Sequence, residues 1–355
     1  MCIFRLTTLG FVLLSLLVTQ NAYTQDAVFS QYYSSSLYLN PAFAGIEPFF
    51  NVGVNVRNQW SSLGTPYTSN QMSAILPLYN QGIGTTNVGG IGLSIYQDKA
   101  GSIGYQSLGA NANGAYNVRF GETGQTKLTF GLQAGVINKR INPEKLQWGS
   151  QYNPAVSGGY DASRPVDGIS SLISSSKVML DIGSGFILSR NSARNIRERG
   201  GGFIIGYSAY HMNRPNESLV SGTKSNLPIL HKAHLGFEKT LGTAHINLSP
   251  NLLLVKQNEY TQINAGGYVT FMIGEPESEV SATPRDIIVG GWYRLNDSFI
   301  ATFGIASRVY VLGISYDLNT SNLKTYTNGK GAWEISVKII KPKKEKVIRY
   351  INPRI

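Results

Sequence analysis

The feature that most constrains the fold is an alternation of apolar with small or polar residues, repeated in segments across residues 49–340. In the first segment Val52, Val54 and Val56 are separated by Gly53 and by polar residues. Successive side chains of a β-strand point to opposite faces, so a period of two predicts strands with one apolar and one polar face. The interval is therefore predicted to be all-β.

About fourteen such segments follow one another along the chain. They span residues 49–57, 67–79, 88–97, 105–119, 126–138, 177–190, 202–212, 231–240, 244–256, 261–273, 285–294, 298–306, 308–318 and 332–340. An even number of strands lets an antiparallel barrel close with both ends on the same side of a membrane. The long connections at 139–176, 213–230 and 319–331 then share the other side. We assign that side to the cell exterior, where bacterial barrels carry their long loops.

The composition indicates which medium the apolar face meets. Charged residues make up 14% of the chain, against about 25% in a typical soluble domain. The mean hydropathy is −0.09, and past the first two dozen residues no apolar run reaches the ~18 residues of a membrane-spanning helix. A soluble β-sandwich would need a charged outward face, whereas the nonapolar face here is mostly Gly, Ser, Asn and Thr. We therefore predict a transmembrane antiparallel outer-membrane β-barrel of about 14 strands over residues 49–340.

Residues 1–24 are predicted to be a secretory signal peptide. Arg5 precedes an apolar stretch at 9–18, and the small residues Ala22 and Thr24 stand before the expected cleavage point. The alternative is an N-terminal membrane anchor, but the apolar stretch is shorter than the ~20 residues that a span requires. Because the single cysteine, Cys2, lies in the signal, the mature chain is expected to contain no thiol and no disulfide.

Two further segments lie outside the predicted barrel. Residues 25–48 are rich in aromatic side chains, show no clean period and contain the turn signal Asn40-Pro41. We expect them to pack in the periplasm or to enter the lumen of the barrel. Residues 341–355 form a basic tail that carries nearly half of the net charge of +11, so this charge does not indicate a nucleic-acid partner.

The tail is a candidate binding segment for a periplasmic partner. Its candidate residues are Lys343, Lys344, Lys346 and Arg349. The apolar alternation of residues 347–351 would suit strand addition to a partner's sheet. The alternative is a solvated tail, or one that faces anionic lipid.

A search for catalytic motifs favours a protein that is not an enzyme and that holds no cofactor or metal. The four histidines, His211, His231, His234 and His245, are scattered along three predicted strands. Ser-x-x-Lys occurs at 174–177 and 221–224, but the Ser-Asp-Asn and Lys-Thr-Gly partners of such sites are missing from the sequence. In a serine-rich chain these matches are explained by chance.

The phase of the predicted strands directs several charged residues toward the lumen. They are Arg57, Arg119, Asp181, Lys232, His234, Glu238, Asp317, Glu334 and Lys338. Charges inside a barrel pair with one another or with water. The alternative is a role in binding or gating, and in an open pore these charges would tune ion selectivity.

Short motifs are spread along the whole predicted mature chain. They are Gln25-Asp26, Phe29-Ser30-Gln31-Tyr32, Asn40-Pro41-Ala42-Phe43-Ala44-Gly45, Arg57-Asn58-Gln59-Trp60, Ser315-Tyr316-Asp317, Glu334-Ile335 and Asn352-Pro353-Arg354. With these motifs the chain resembles the PorP/SprF family, outer-membrane proteins of the type IX secretion and gliding machinery of Bacteroidota. The chain departs from the family at 331–334, which read Gly-Ala-Trp-Glu instead of Gly-Ser-His-Glu. No role of that histidine is carried over.

The resemblance implies a non-enzymatic barrel that works with the periplasmic ring and lipoproteins of the type IX system. It also implies a secreted, adhesin-like partner, exported or held at the surface through its C-terminal sorting domain, with the lumen and outer loops as its binding place. Asn40, Pro41 and Gly45 of the front motif are candidates for partner binding. The alternative function is a passive or FadL-like outer-membrane channel for small solutes, which would be recognised by its conductance.

Overall fold

The computed structural model describes residues 26–64, 66–80, 86–101, 104–121, 125–166, 173–191, 201–241, 245–273 and 285–341. Within these ranges the chain forms fourteen strands and three short α-helices. The strands are β1 (Phe50–Gln59), β2 (Tyr67–Asn80), β3 (Thr86–Ala100), β4 (Tyr105–Phe120), β5 (Thr126–Arg140), β6 (Ser176–Asn191), β7 (Gly202–Tyr210), β8 (Leu230–Thr240), β9 (Ile246–Gln257), β10 (Tyr260–Met272), β11 (Asp286–Arg294), β12 (Ser298–Ala306), β13 (Tyr310–Asn319) and β14 (Lys330–Lys341). The helices are α1 (Ser36–Leu39), α2 (Phe43–Ile46) and α3 (Lys324–Thr327). The predicted signal peptide and the tail beyond Lys341 lie outside the described residues.

The sheet is a closed barrel in which each strand pairs with its sequence neighbours and β1 pairs antiparallel with β14. Across the closing seam, Val54 lies opposite Val337 and Arg57 lies opposite Glu334. The predicted antiparallel barrel of about fourteen strands is thus confirmed. In the part of the chain that the structure describes, no helix has the length and apolar character needed to cross a membrane.

The two faces of the barrel have the opposite polarity to those of a soluble protein. On β2, Gln71 and Ser73 point inward and are 2% and 3% exposed, while Met72 and Leu76 point outward and are 51% and 48% exposed. In water such apolar side chains would be found inside. Outward-facing side chains therefore meet lipid, and inward-facing ones line the lumen.

The connections 141–175, 211–229 and 320–329 lie at one end of the barrel, called here the loop end. The starting residue of β1 and the final residue of β14 lie at the opposite end, called the terminal end. All fourteen strands begin and end within three residues of the predicted limits. The prediction for β7 runs two residues too far, because His211 has a φ of 57°, a left-handed backbone that cannot continue a strand.

Candidate functional site

Residues 26–49, called here the lumenal segment, lie inside the barrel. Leu37 and Phe43 of this segment are buried and share one apolar core with Ile75 of β2 and Leu253 of β9. Strands β2 and β9 are seven positions apart in the closed sheet and so face each other across the lumen. A segment that packs against both walls must fill the space between them.

The lumenal segment runs the length of the barrel. At the loop end, the backbone N–H of Asp26 donates to Oε1 of Gln257, the last residue of β9, at 3.3 Å. Toward the terminal end, the ammonium of Lys338 on β14 lies 2.5 Å from a carboxylate oxygen of Glu47. The segment therefore enters at the loop end and reaches β1 at the terminal end.

Glycines on the inner face of the barrel strands allow the backbone of the lumenal segment to contact the backbone of the sheet. A Cβ added at Gly90 would lie 1.9 Å from the carbonyl oxygen of Ala44, and one added at Gly131 would lie 2.2 Å from the nitrogen of Ala42. Gly45 of the segment is less confined, since its Cβ would lie 2.8 Å from the side-chain amide oxygen of Asn117. Only glycine allows so close an approach of two backbones.

Asn40 fixes the turn between α1 and α2. Its Nδ2 donates to the backbone carbonyls of Phe186 on β6 and Tyr207 on β7, each at 3.1 Å. Its Oδ1 accepts from the backbone N–H of Ala42 at 3.0 Å, across Pro41. Asn40 is fully buried, so an apolar replacement would leave buried backbone groups without their partners, which is costly.

A buried ion network joins the strands at the closing seam. The guanidinium of Arg57 lies 2.9 Å from Asp317 and 3.3 Å from Glu334, and Arg294 of β11 lies 3.2 Å from Asp317. Arg57, Asp317 and Glu334 are each no more than 1% exposed. Arg294 also lies 2.8 Å from the partly exposed Asp297. Because each buried ion of the network faces a partner of opposite charge, the ions can be buried at this depth.

The lumenal segment takes part in this network. The hydroxyl of Ser30 donates to Asp317 at 2.8 Å and accepts from Arg57 at 2.6 Å. The backbone N–H groups of Ser30 and Gln31 donate to the two oxygens of Glu334 at 2.7 and 3.0 Å. Charge-assisted hydrogen bonds of this kind are about twice as strong as neutral ones, so they anchor the lumenal segment to the strands of the seam.

A second buried contact holds the start of the segment. The imidazole of His211 lies 2.7 Å from Asp26 through Nε2 and 2.7 Å from Asp181 through Nδ1. Burial by itself would lower the pKa of His211, but the charge of Asp26 and the hydrogen bonds that the imidazole donates to both carboxylates raise it to about 9. Although burial opposes it, the His211 charge also holds the pKa of Asp26 below its usual range. An imidazolium between two carboxylates is therefore expected at neutral pH.

The remaining predicted lumenal charges also find protein partners. Lys232 donates to the backbone oxygen of Tyr38 at 2.6 Å and lies 3.8 Å from that ring's centroid. Arg119 donates to the backbone oxygen of Asn87 at 3.2 Å, and Glu238 accepts from Asn247. His234 stacks on Phe43 with ring centroids 5.5 Å apart. Beside Lys232 a cavity of about 30 Å³ has room for only a few water molecules.

The structure describes only some of the predicted partner-binding residues. Asn40, Pro41 and Gly45 lie in the lumen, where they hold the segment itself. The tail candidates Lys343, Lys344, Lys346 and Arg349 lie outside the described residues.

Sequence reasoning missed Ser30, Arg294 and the role of His211. Arg294 could have been found, since it stands two residues after the inward-facing Trp292 in a predicted strand. Strand phase places His211 on the lipid side, because Tyr210 points inward. The left-handed backbone at His211 reverses that direction and turns the ring into the lumen.

At the loop end the connection 211–229 is joined to the connection 141–175 and to the ends of the strands β5 and β6 that flank it. Lys139 pairs with Glu217, Lys177 donates to the backbone oxygen of Ser218 at 2.9 Å, and an isolated bridge joins the two loops further out. On this end Tyr152 and Tyr326 are 63% and 74% exposed. Exposed aromatic side chains on ordered loops are typical of protein-binding surfaces.

Nothing among the described residues suggests a catalytic or metal centre. No group of three or more His, Cys, Asp or Glu residues there could hold a metal ion. In the His211 contact the imidazole stands between Asp26 and Asp181 and bonds one carboxylate with each nitrogen. The three side chains therefore do not converge on a common point.

Comparisons with known proteins identify one family. Residues 21–339 match the family model described as Type IX secretion system membrane protein PorP/SprF. Among curated proteins no significant match is found.

Solved structures of outer-membrane proteins are similar to the barrel. The CymD monoaromatic hydrocarbon channel is 11% identical, with 88% of this chain and 94% of that chain covered and a TM-score of 0.47. Omp33 of Acinetobacter baumannii is 7% identical, with 84% and 100% covered and a TM-score of 0.40. Nothing about transport by this chain follows from these similarities.

Proposed function

Because the chain belongs to the PorP/SprF family of type IX secretion system membrane proteins, we propose that it is a protein-binding component of that system in the outer membrane, and not a pore. The observation that carries the proposal is the lumenal segment. It occupies the space through which solutes would pass, and an ion pair holds it at each end, Asp26 with His211 and Glu47 with Lys338. Such a barrel acts by binding.

The proposed outer partner is a secreted, adhesin-like protein that is exported or held at the surface through its C-terminal domain. The family resemblance implies the lumen and outer loops together as its binding place. Since the lumenal segment fills the lumen, the loop end supplies the contact. Its exposed Tyr152 and Tyr326 on ordered loops support this assignment.

The proposed inner partner is the periplasmic ring of the secretion system, reached through the basic tail. The final strand delivers Lys341 to the terminal end of the barrel. The following residues carry Lys343, Lys344, Lys346 and Arg349. A binding segment at that end leaves the loop end free for the secreted partner.

A passive channel for small solutes is less well supported. It needs a continuous aqueous path, whereas the lumenal side chains Arg57, Lys232 and Glu334 bond to the lumenal segment or to one another. We therefore expect that the protein does not conduct ions across a membrane.

A pull-down from native outer membranes, followed by mass spectrometry, tests the proposal with three variants. Tyr152→Ser with Tyr326→Ser should lose the secreted partner and keep the periplasmic ring. Tyr152→Phe with Tyr326→Phe, the matched control, should keep both. Deletion of residues 343–355 should lose the ring alone. Capture of neither partner by the unaltered protein, or equal capture by every variant, would contradict the proposal.

A further inference from the structure

The outer face of β3, β4 and β5 changes from apolar to basic toward the loop end. Antiparallel pairing aligns outward-facing residues of the three strands into rows. Ile95, Ala110 and Val136 form one such row. Ile95 is 53% exposed and Val136 is 41% exposed, so this row belongs to the part of the wall that meets hydrocarbon.

The next two rows mark the boundary of the membrane. Gln97, Leu108 and Asn138 form the first of them, two residues closer to the loop end. A further two residues along, the row consists of Lys99, Gln106 and Arg140. Two residues of a strand advance the chain by about 7 Å. The basic row therefore lies one such step beyond the mixed row of Gln97, Leu108 and Asn138, at the depth of the lipid headgroups.

The side chains of Lys99 and Arg140 are both exposed, and neither side chain forms an ion pair or hydrogen bond with another described residue. The row holds no carboxylate. Asp98 is the neighbour of Lys99, but its phase turns it to the lumen, where it accepts from Ser69 at 2.5 Å. The two cations are thus available to an external anion.

The spacing of the two cations suits a phosphate. Gln106 on β4 pairs with Lys99 on β3 and with Arg140 on β5, so it lies between the two cations. Antiparallel Cα pairs are alternately about 4.5 and 5.5 Å apart, so the Cα atoms of Lys99 and Arg140 are about 10 Å apart. Both side chains are long enough to reach one anion above Gln106, whose amide can donate as well. Arginine and lysine are the usual ligands of phosphate groups.

We propose that Lys99, Gln106 and Arg140 form a binding site for the phosphate of a lipid headgroup in the membrane leaflet at the loop end. The apolar row at Ile95 and Val136, which lies two rows below the site beyond Gln97, Leu108 and Asn138, favours a lipid over a free anion. The acyl chains of a bound lipid would lie along that row while its phosphate meets the cations.

Native mass spectrometry of the full chain in detergent micelles tests this site, with diphosphoryl lipid A as the probe. Lys99→Ala with Arg140→Ala should weaken retention of the probe about 30-fold, as expected for the loss of two basic contacts to an anionic headgroup. Lys99→Arg with Arg140→Lys keeps both charges and should retain the lipid.

Arg190→Ala with Lys239→Ala provides the matched control. Both residues are exposed and face outward near the terminal end, so their removal takes away the same charge at the opposite boundary and should leave retention unchanged. Equal loss in the two alanine pairs would overturn the proposal, as would unchanged retention in both. Inorganic phosphate should not displace the probe, and displacement by it would identify a site for free anions instead.

Discussion

Gly90 and Gly131 provide a direct way to disturb the packing of the lumenal segment. Neither has a left-handed backbone, so alanine at these positions changes only the available space. The added carbon would lie 1.9 Å from Ala44 at one site and 2.2 Å from Ala42 at the other, in both cases against backbone atoms. Carbon contacts are optimal at about 3.5–4.0 Å. No side-chain rotation relieves such an overlap, so the segment or the sheet must move.

Overpacking of this kind costs about 1–3 kcal/mol for each site. The clash exists only while the segment is in the lumen. The Gly90→Ala, Gly131→Ala pair should therefore destabilise the filled barrel relative to one whose segment has left. A cost of about 2 kcal/mol, the lower limit for the pair, corresponds to a roughly 30-fold higher population of released barrels.

Influx of a small neutral sugar into liposomes that contain the barrel measures this population. The double variant should admit the sugar at least ~30-fold faster than the unaltered protein. Gly114→Ala is the matched control, because a Cβ at Gly114 would meet no atom within 4 Å, and it should behave as the unaltered protein does. Influx and unfolding free energy of the double variant equal to those of the control would refute the packing described here.

Two further predictions concern the buried ions. Arg57→Met should lower the free energy of unfolding in urea by about 3–5 kcal/mol, since it leaves Asp317 buried with fewer partners; a loss below about 1 kcal/mol would contradict the network. For His211, the folded-state pKa of about 9 exceeds the ordinary value of 6.5, so its contact with Asp26 and Asp181 contributes stability that is fully present below pH 6.5 and is lost as pH rises through 9. The difference in unfolding free energy between the unaltered protein and His211→Asn, on the order of 3 kcal/mol at neutral pH, should shrink over that window, and a difference that stays constant would count against the charged imidazole.

Most of the fold could be predicted from the sequence because each strand shows the alternation of apolar and polar residues by itself. From the period of two one can predict where a strand lies, which residues share each of its faces, and that Arg57, Asp317 and Glu334 point inward. Antiparallel order and an even strand number then give the closing seam between β1 and β14. Strand ends were less predictable: β3 continues through Asp98 and Lys99, because hydrogen bonding extends beyond the apolar part of the wall.

The position of the lumenal segment could not be derived in the same way. It has no period, and its bonds join residues about 300 positions apart, as between Ser30 and Glu334. Which carboxylate meets which backbone group depends on the register between neighbouring strands of the closed barrel. The direction of the His211 side chain depends on the φ angle of that residue, which the alternation of the strand does not predict.

The single-channel current of the purified protein in a planar bilayer tests the central claim most directly. With residues 26–49 in the lumen, the unaltered protein should be electrically silent, and the same barrel without residues 27–48 should show stepwise openings. Steady conductance by the unaltered protein, equal to that of the shortened barrel, would contradict a lumen filled by its own chain.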